Sequence, residues 1–145
     1  MPPPTVAILV GGLGSRLRKV VSDVPKPLAP IHGQPFLLLL LRQLATLSIQ
    51  RIVLLTGYMH DHIVATCQQN KIDNLHIVYS REGTPLGTGG ALLHAAPWFA
   101  DEEAIIVMNG DTYLDAPLMD FMYQPLDDAI IGRLSVISVS DSTRY

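Results

Sequence analysis

The sequence is short of cysteine, of charge and of long apolar runs. Cys67 stands alone, so neither an intramolecular disulfide nor a zinc cluster of cysteines can form, which fits a reducing, cytoplasmic setting. Charged residues make up only 16% of the 145 residues while 48% are hydrophobic, a balance that excludes intrinsic disorder. Ten Lys and Arg stand against 13 Asp and Glu, for a formal charge of -3. So little basic charge offers no footprint for DNA or RNA and no patch for a membrane surface. The apolar stretch "FLLLLL" at 36–41 falls far short of the roughly 20 residues that span a bilayer, so no transmembrane segment is expected. The opening "MPPPTVAILVGG" has no charged region and runs straight into glycines, unlike a secretory signal. The length suits one domain, 1–145, large enough for a sheet with covering helices.

What is present alternates. The continuous apolar run 6–10, closed by Gly11 and Gly12, reads as a strand buried on both faces. Over 34–47 the leucines at 37, 40, 41, 44 and 47 share one helical face with Phe36, and Pro35 suits a first helical turn. Residues 51–56, 76–79 and 104–108 predict further buried strands, and 134–139 a last one. Residues 60–69, 87–96 and 117–123 predict helices. This order implies a Rossmann-like α/β fold, a mainly parallel sheet with helices on both faces. The prolines between Pro25 and Pro35 lie in stretches too apolar for a linker and predict a folded loop.

Ligands of such sheets sit at the carboxyl ends of the strands, and every glycine-rich or charged motif here follows a strand. "GGLGSRL" lacks the Gly-Lys-Ser/Thr of a Walker A loop, and Leu17 occupies the third glycine position of a dinucleotide fingerprint. Glycines after a strand bring several N–H groups to one anion. Arg16 adds a planar fork and Lys26, framed by Pro25 and Pro27, a compact point charge. That is more than a dinucleotide pyrophosphate asks for, and it suits a triphosphate. The competing interpretation is a turn with a surface arginine and lysine. A lone glycine cluster would favour it, whereas the strand before and Pro-Lys-Pro after favour a phosphate site. Arg18 and Lys19 read as a solvated flank.

The stretch "GGLGSRLRKVVSDVPKPLAPIHGQP" resembles the signature of the sugar-phosphate nucleotidylyltransferases. The likeness continues in order through residues 52–58, "EGTPLGTGGAL" from Glu82 and "VMNGDTYLD" from Val107. "VVSDVPKP", "PLGTGGA" and "NGDTY" are most similar to the branch that activates heptose 1-phosphate with GTP. The resemblance implies attack of a sugar 1-phosphate oxygen on the α-phosphorus of a nucleoside triphosphate, with pyrophosphate leaving. It implies that Gly11, Gly12, Gly14 and Ser15 wrap the triphosphate at the end of the strand that includes Leu9. Arg16 would stabilise the departing pyrophosphate, and Lys26 would bridge the phosphates of both substrates. Asp111, after Gly110, would hold Mg²⁺, a cation content with one or two carboxylates plus phosphate oxygens. The stretch Pro85 to Ala91, with Leu86 and Thr88 in it, would form the base and sugar side of the pocket, where Gly87, Gly89 and Gly90 allow close approach. Glu82 could accept from guanine N1–H and its 2-amino group, donors that adenine lacks as a pair; uracil N3–H is a donor too, so UTP or another triphosphate stays open.

Other candidates have plainer meanings. His60 to His62 ("HDH") point apart on a helix and read as a surface cluster rather than a metal site. Cys67 reads as a small helix residue, Trp98 and Phe99 as a plug ending a helix, Asp101, Glu102 and Glu103 as solvated, and Asp115 as a helix cap before Pro117. Family members usually run on well past "SDSTRY", where the rest of the sheet, the sugar motif and a second metal-binding aspartate lie. The expectation is therefore a chain with its C-terminal part missing, holding the nucleotide half. It would be either an enzyme making an NDP-sugar for polysaccharide synthesis or a nucleotide-binding remnant. Uncovered apolar faces would favour association, leaving a homo-oligomer open.

Overall fold

The apolar run after the N-terminal prolines becomes an inner strand of a parallel sheet. The computed structural model describes residues 3–12, 24–127, 129–136 and 138. Strand β1 (Thr5–Leu9) is followed by a short 3-10 helix (Lys26–Leu28) and a two-residue hairpin, β2 (Pro30–Ile31) and β3 (Gln34–Pro35). Then come α1 (Phe36–Thr46), β4 (Arg51–Thr56), α2 (His60–Gln69), β5 (His76–Arg81) and α3 (Gly87–Ala95). A 3-10 turn (Ala96–Phe99), β6 (Ile105–Asn109) and α4 (Leu118–Tyr123) complete the described elements.

The four long strands are ordered β5-β4-β1-β6 and all pair in parallel. From β1 the chain steps outward twice in one direction, through α1 and α2, and those helices share a face. From β5 it crosses back to the far side of β1. A right-handed crossover in the reversed direction must use the other face, and that is where α3 lies. Strand alternation divides the core accordingly. Val6, Ile8, Ile52 and Leu54 point toward the leucines of α1, Ile63 and Cys67 of α2, and Leu118 and Met122 of α4. Ala7, Val53 and Leu55 point toward Ala91 and Ala95, small residues that let α3 sit close to the sheet. Leu37, Leu40, Leu41 and Leu44 are fully buried, each worth on the order of 2 kcal/mol of hydrophobic burial.

Several sequence expectations need correction. His60 is half-buried and bonded to Thr56 rather than part of a surface cluster. Glu102 pairs with Arg51 and accepts from the Thr5 hydroxyl rather than standing solvated. Residues 134–136 and 138 form no strand; the remainder of the segment 134–139 lies outside the described residues. Strand β6 is not buried on both faces: Val107 is 44% exposed, and among the described residues β6 pairs on one side only, with β1. Asp115 caps nothing, since Pro117 occupies the N-cap of α4 without a side-chain bond. Pro35 stands in β3 and at the N-cap of α1, not within the helix. The proline segment is folded as expected, with Pro27 and Leu28 buried. Among the described residues no helix is long and apolar enough to cross a membrane.

Candidate functional site

The reversal of winding direction falls between β1 and β6, the place where an open parallel sheet leaves a crevice at its carboxyl edge. Gly11 and Gly12 leave β1 there, and Gly110 and Asp111 leave β6. The two ends are tied by the Gly110 N–H donating to the Leu9 carbonyl at 2.9 Å. A β-carbon on Gly110 would overlap Val10 Cγ1 and lie 2.9 Å from the Leu9 oxygen. Glycine is therefore required by the closeness of the two strand ends rather than by an unusual φ.

Beside this junction the Lys26 ammonium donates a hydrogen bond to Asp111 Oδ2 and pairs with it as a salt bridge. Pro25 and Pro27 account for the lysine's placement. Pro25 sits extended at the N-cap of the 3-10 turn, and the Leu28 N–H closes that turn on its carbonyl at 2.8 Å. Neither charge is deeply buried, with side-chain exposures of 44% for Lys26 and 35% for Asp111. Partial burial works to raise the Asp111 carboxyl. The hydrogen bond and charge of Lys26, the Thr112 hydroxyl and the aspartate's own backbone together outweigh it and hold the carboxyl below its usual range.

On the other side of β1 lies a cleft of about 250 Å³ lined by Gly11, Gly57, Tyr58, Arg81, Glu82 and residues 83–85. The Glu82 carboxylate is seated on glycines: β-carbons on Gly11 and Gly57 would lie 3.0 and 2.9 Å from Glu82 Oε1. Its second oxygen accepts the Leu86 N–H at 3.1 Å, a donor just before α3 with no partner inside the helix. Gly87 begins α3 at φ +70, where a side chain would be strained, and Gly90 is needed because a β-carbon there would lie 2.7 Å from Leu86 Cβ. Gly89 meets nothing within 4 Å, so its expected role in close approach finds no support within the protein.

The sequence-predicted residues thus divide. Lys26, Gly110 and Asp111 come together at the β1–β6 junction. Gly11, Glu82 and Pro85 come together at the cleft, with exposed Leu86, Gly87 and Thr88 on its α3 side. Leu9 links the two groups through its carbonyl and packs its side chain under α3. Gly12 is exposed, and Gly14, Ser15 and Arg16 lie outside the described residues. Sequence reasoning passed over Gly57, Tyr58 and Arg81 as site residues; their signal was position, since each stands at or just after the carboxyl end of a strand. Among the described residues no group of three or more His, Cys, Asp or Glu could hold a metal by itself, and His60 to His62 form no such cluster.

The parallel sheet, its winding reversal beside β1 and the glycine-lined carboxyl edge define a Rossmann-like α/β fold. The family model described as nucleotidyl transferase matches residues 5–145, and the chain belongs to that family. It is 47% identical over 105 residues to the D-glycero-alpha-D-manno-heptose 1-phosphate guanylyltransferase of Aneurinibacillus thermoaerophilus, covering 72% of this chain and 45% of that protein. It is 37% identical over 138 residues to the Campylobacter jejuni protein of the same name, covering 95% and 59%. Among solved structures, HddC from Yersinia pseudotuberculosis complexed with GMP-PN matches with TM-score 0.72 and 40% identity over 81% of this chain and 52% of that one. The chain spans about half the length of the curated relatives it matches.

Proposed function

We propose that this chain is the nucleotide-binding portion of a sugar-phosphate nucleotidylyltransferase that joins heptose 1-phosphate to GTP, releasing pyrophosphate and leaving GDP-heptose. The observation that carries the reading is the meeting of Lys26 and Asp111, 85 residues apart in sequence, at the crevice beside the glycine-lined end of β1. A cation and a carboxylate there suit a triphosphate and its Mg²⁺. Asp111 keeps one oxygen off the lysine and is partly exposed, and Mg²⁺ needs one or two carboxylates when phosphates and waters complete its shell. When bound, the metal neutralises phosphate charge. Lys26 then holds phosphate oxygens, while Gly11, Gly12, Gly14 and Ser15 give backbone donors and Arg16 receives the leaving pyrophosphate. No protein nucleophile is required, because the sugar phosphate oxygen attacks phosphorus directly.

Glu82 gives the reading its base preference. A carboxylate accepts at four lone-pair sites, so the Leu86 bond leaves capacity for the paired donors of guanine. The names of the relatives, which act with guanylyl transfer, favour the same base. The test is pyrophosphate release from the purified chain with heptose 1-phosphate, Mg²⁺ and each of the four triphosphates in turn, with nucleotide binding measured in parallel. Release fastest with GTP, and a preference flattened in Glu82→Gln, is the expected result. Binding without release would leave a nucleotide-binding module and refute transfer by this chain. Equal use of UTP would refute the base assignment.

A further inference from the structure

One polar chain at the carboxyl edge has no part in the chemistry above. Thr56, the last residue of β4, is fully buried, so its hydroxyl must find partners inside the protein. It has two: His60 Nδ1 at 2.7 Å and the Ser80 carbonyl oxygen at 3.3 Å. A hydroxyl carries one proton. Both contacts are hydrogen bonds when His60 Nδ1–H donates to Thr56 Oγ1 and the hydroxyl donates onward to Ser80. The His60 ring stands edge-on to Tyr79, with centroids 6.2 Å apart and planes at 86°, which holds the imidazole in place.

The chain fastens α2, β4 and β5 together where the sheet ends, and two of its attachments carry the cleft. The Thr56 carbonyl accepts the Glu82 N–H at 2.9 Å, so the same residue anchors Glu82 through its backbone. The turn between Thr56 and His60 closes with the His60 N–H on the Gly57 carbonyl at 3.2 Å. Met59 is left-handed there, at φ 53, a conformation costing about 1 kcal/mol that the surrounding bonds must hold. Gly57 in that turn is one of the two glycines under the Glu82 carboxylate. His60 itself is not among the residues lining the cleft.

We propose that His60 and Thr56 are positioning residues for Glu82. Through the Nδ1–H, Oγ–H and carbonyl chain they fix the depth at which the carboxylate meets the nucleobase, and so set the selectivity for GTP. The proposal rests on the reading of Glu82 as the base-facing group.

Its first test needs no nucleotide. Backbone amide exchange at Glu82 and Leu86 is followed by NMR in the wild-type chain and in Thr56→Val, Thr56→Ser, His60→Ala and His60→Asn, with global stability from urea unfolding for correction. Thr56→Val and His60→Ala should speed both amides about tenfold beyond any global change, as loss of a buried hydrogen bond implies. Thr56→Ser and His60→Asn, which keep a hydroxyl and a donor near Nδ1, should restore protection. In titrations with GTP and UTP, the Kd for UTP divided by that for GTP should fall by a similar factor in Thr56→Val and recover in Thr56→Ser. Unchanged exchange in Thr56→Val and His60→Ala overturns the positioning role. Faster exchange with an unchanged GTP to UTP ratio overturns the link to selectivity. A wild-type chain indifferent to the base overturns the Glu82 reading instead, and the exchange result still decides whether the two residues position it.

Discussion

Replacing Gly110 by alanine should damage the fold and the candidate site together. A β-carbon there lies 2.9 Å from the Leu9 carbonyl oxygen and overlaps Val10 Cγ1. The valine methyl can rotate aside, but the carbonyl belongs to β1, which is paired on both edges. Strand β6, paired on one edge only among the described residues, must therefore move. The move strains the Gly110 N–H bond to Leu9, and overpacking of this kind costs about 1–3 kcal/mol. For a chain of this length that lowers Tm by roughly 3–12 °C. Asp111 is the next residue, so its bond with Lys26 should loosen and its carboxyl titrate at higher pH than in the wild type. Urea and thermal unfolding measure the first effect, and carboxyl ¹³C shifts against pH the second. Gly89→Ala is the control, because nothing lies within 4 Å of its added carbon. In a helix that change should be neutral or stabilising by up to about 1 kcal/mol. If Gly110→Ala unfolds at the wild-type midpoint, the argument that close strand packing requires this glycine is refuted.

Lys26→Met should leave Asp111 with burial as its dominant influence, so its carboxyl should titrate upward when followed by NMR. Because pairing lowers the native value, its stabilisation is present above the unfolded carboxylate value and is lost as pH falls through the lowered native one. The stability gap between wild type and Lys26→Met should accordingly be open at neutral pH and close in acid; a gap independent of pH would contradict the pairing. Burial pushes the Cys67 thiol up to about 11, against a smaller opposing effect from Tyr79. At pH 8 only about a thousandth of it is thiolate, and the thiolate is the reactive form. Iodoacetamide should thus label native chain orders of magnitude more slowly than urea-unfolded chain, and equal rates would show that the thiol is not enclosed.

Two elements were read with their observed limits, β4 at Arg51–Thr56 and α2 at His60–Gln69. The apolar run of β4 is closed by Gly57, which marks its end in the sequence. Strands β1 and β6 were displaced by one residue, since an apolar run marks a strand without marking where its ladder begins. The segment 134–139 has the residues of a strand, but residues 134–136 and 138 pair with no neighbour, and β-propensity expresses itself only against one. Asp115 had the right residue type for a cap, yet the chain turns into α4 at Pro117.

In the site, the sequence by itself determined which residues are chemically equipped: glycines after strands, a lysine between prolines, an aspartate after Asn-Gly, a glutamate before Pro-Leu-Gly. These are properties of residue type and near neighbours. Tertiary structure alone decided that Lys26 meets Asp111, because the meeting depends on β6 entering the sheet beside β1 rather than beyond β5. It also decided that Gly11 and Gly57 carry the Glu82 carboxylate, and that His60 turns inward to Thr56 instead of out to solvent. The Lys26–Asp111 and Glu82 contacts join segments far apart in the chain, and only the strand order and the handedness of the crossovers bring them within reach; Thr56 and His60 are four residues apart, joined across the local turn from β4 into α2.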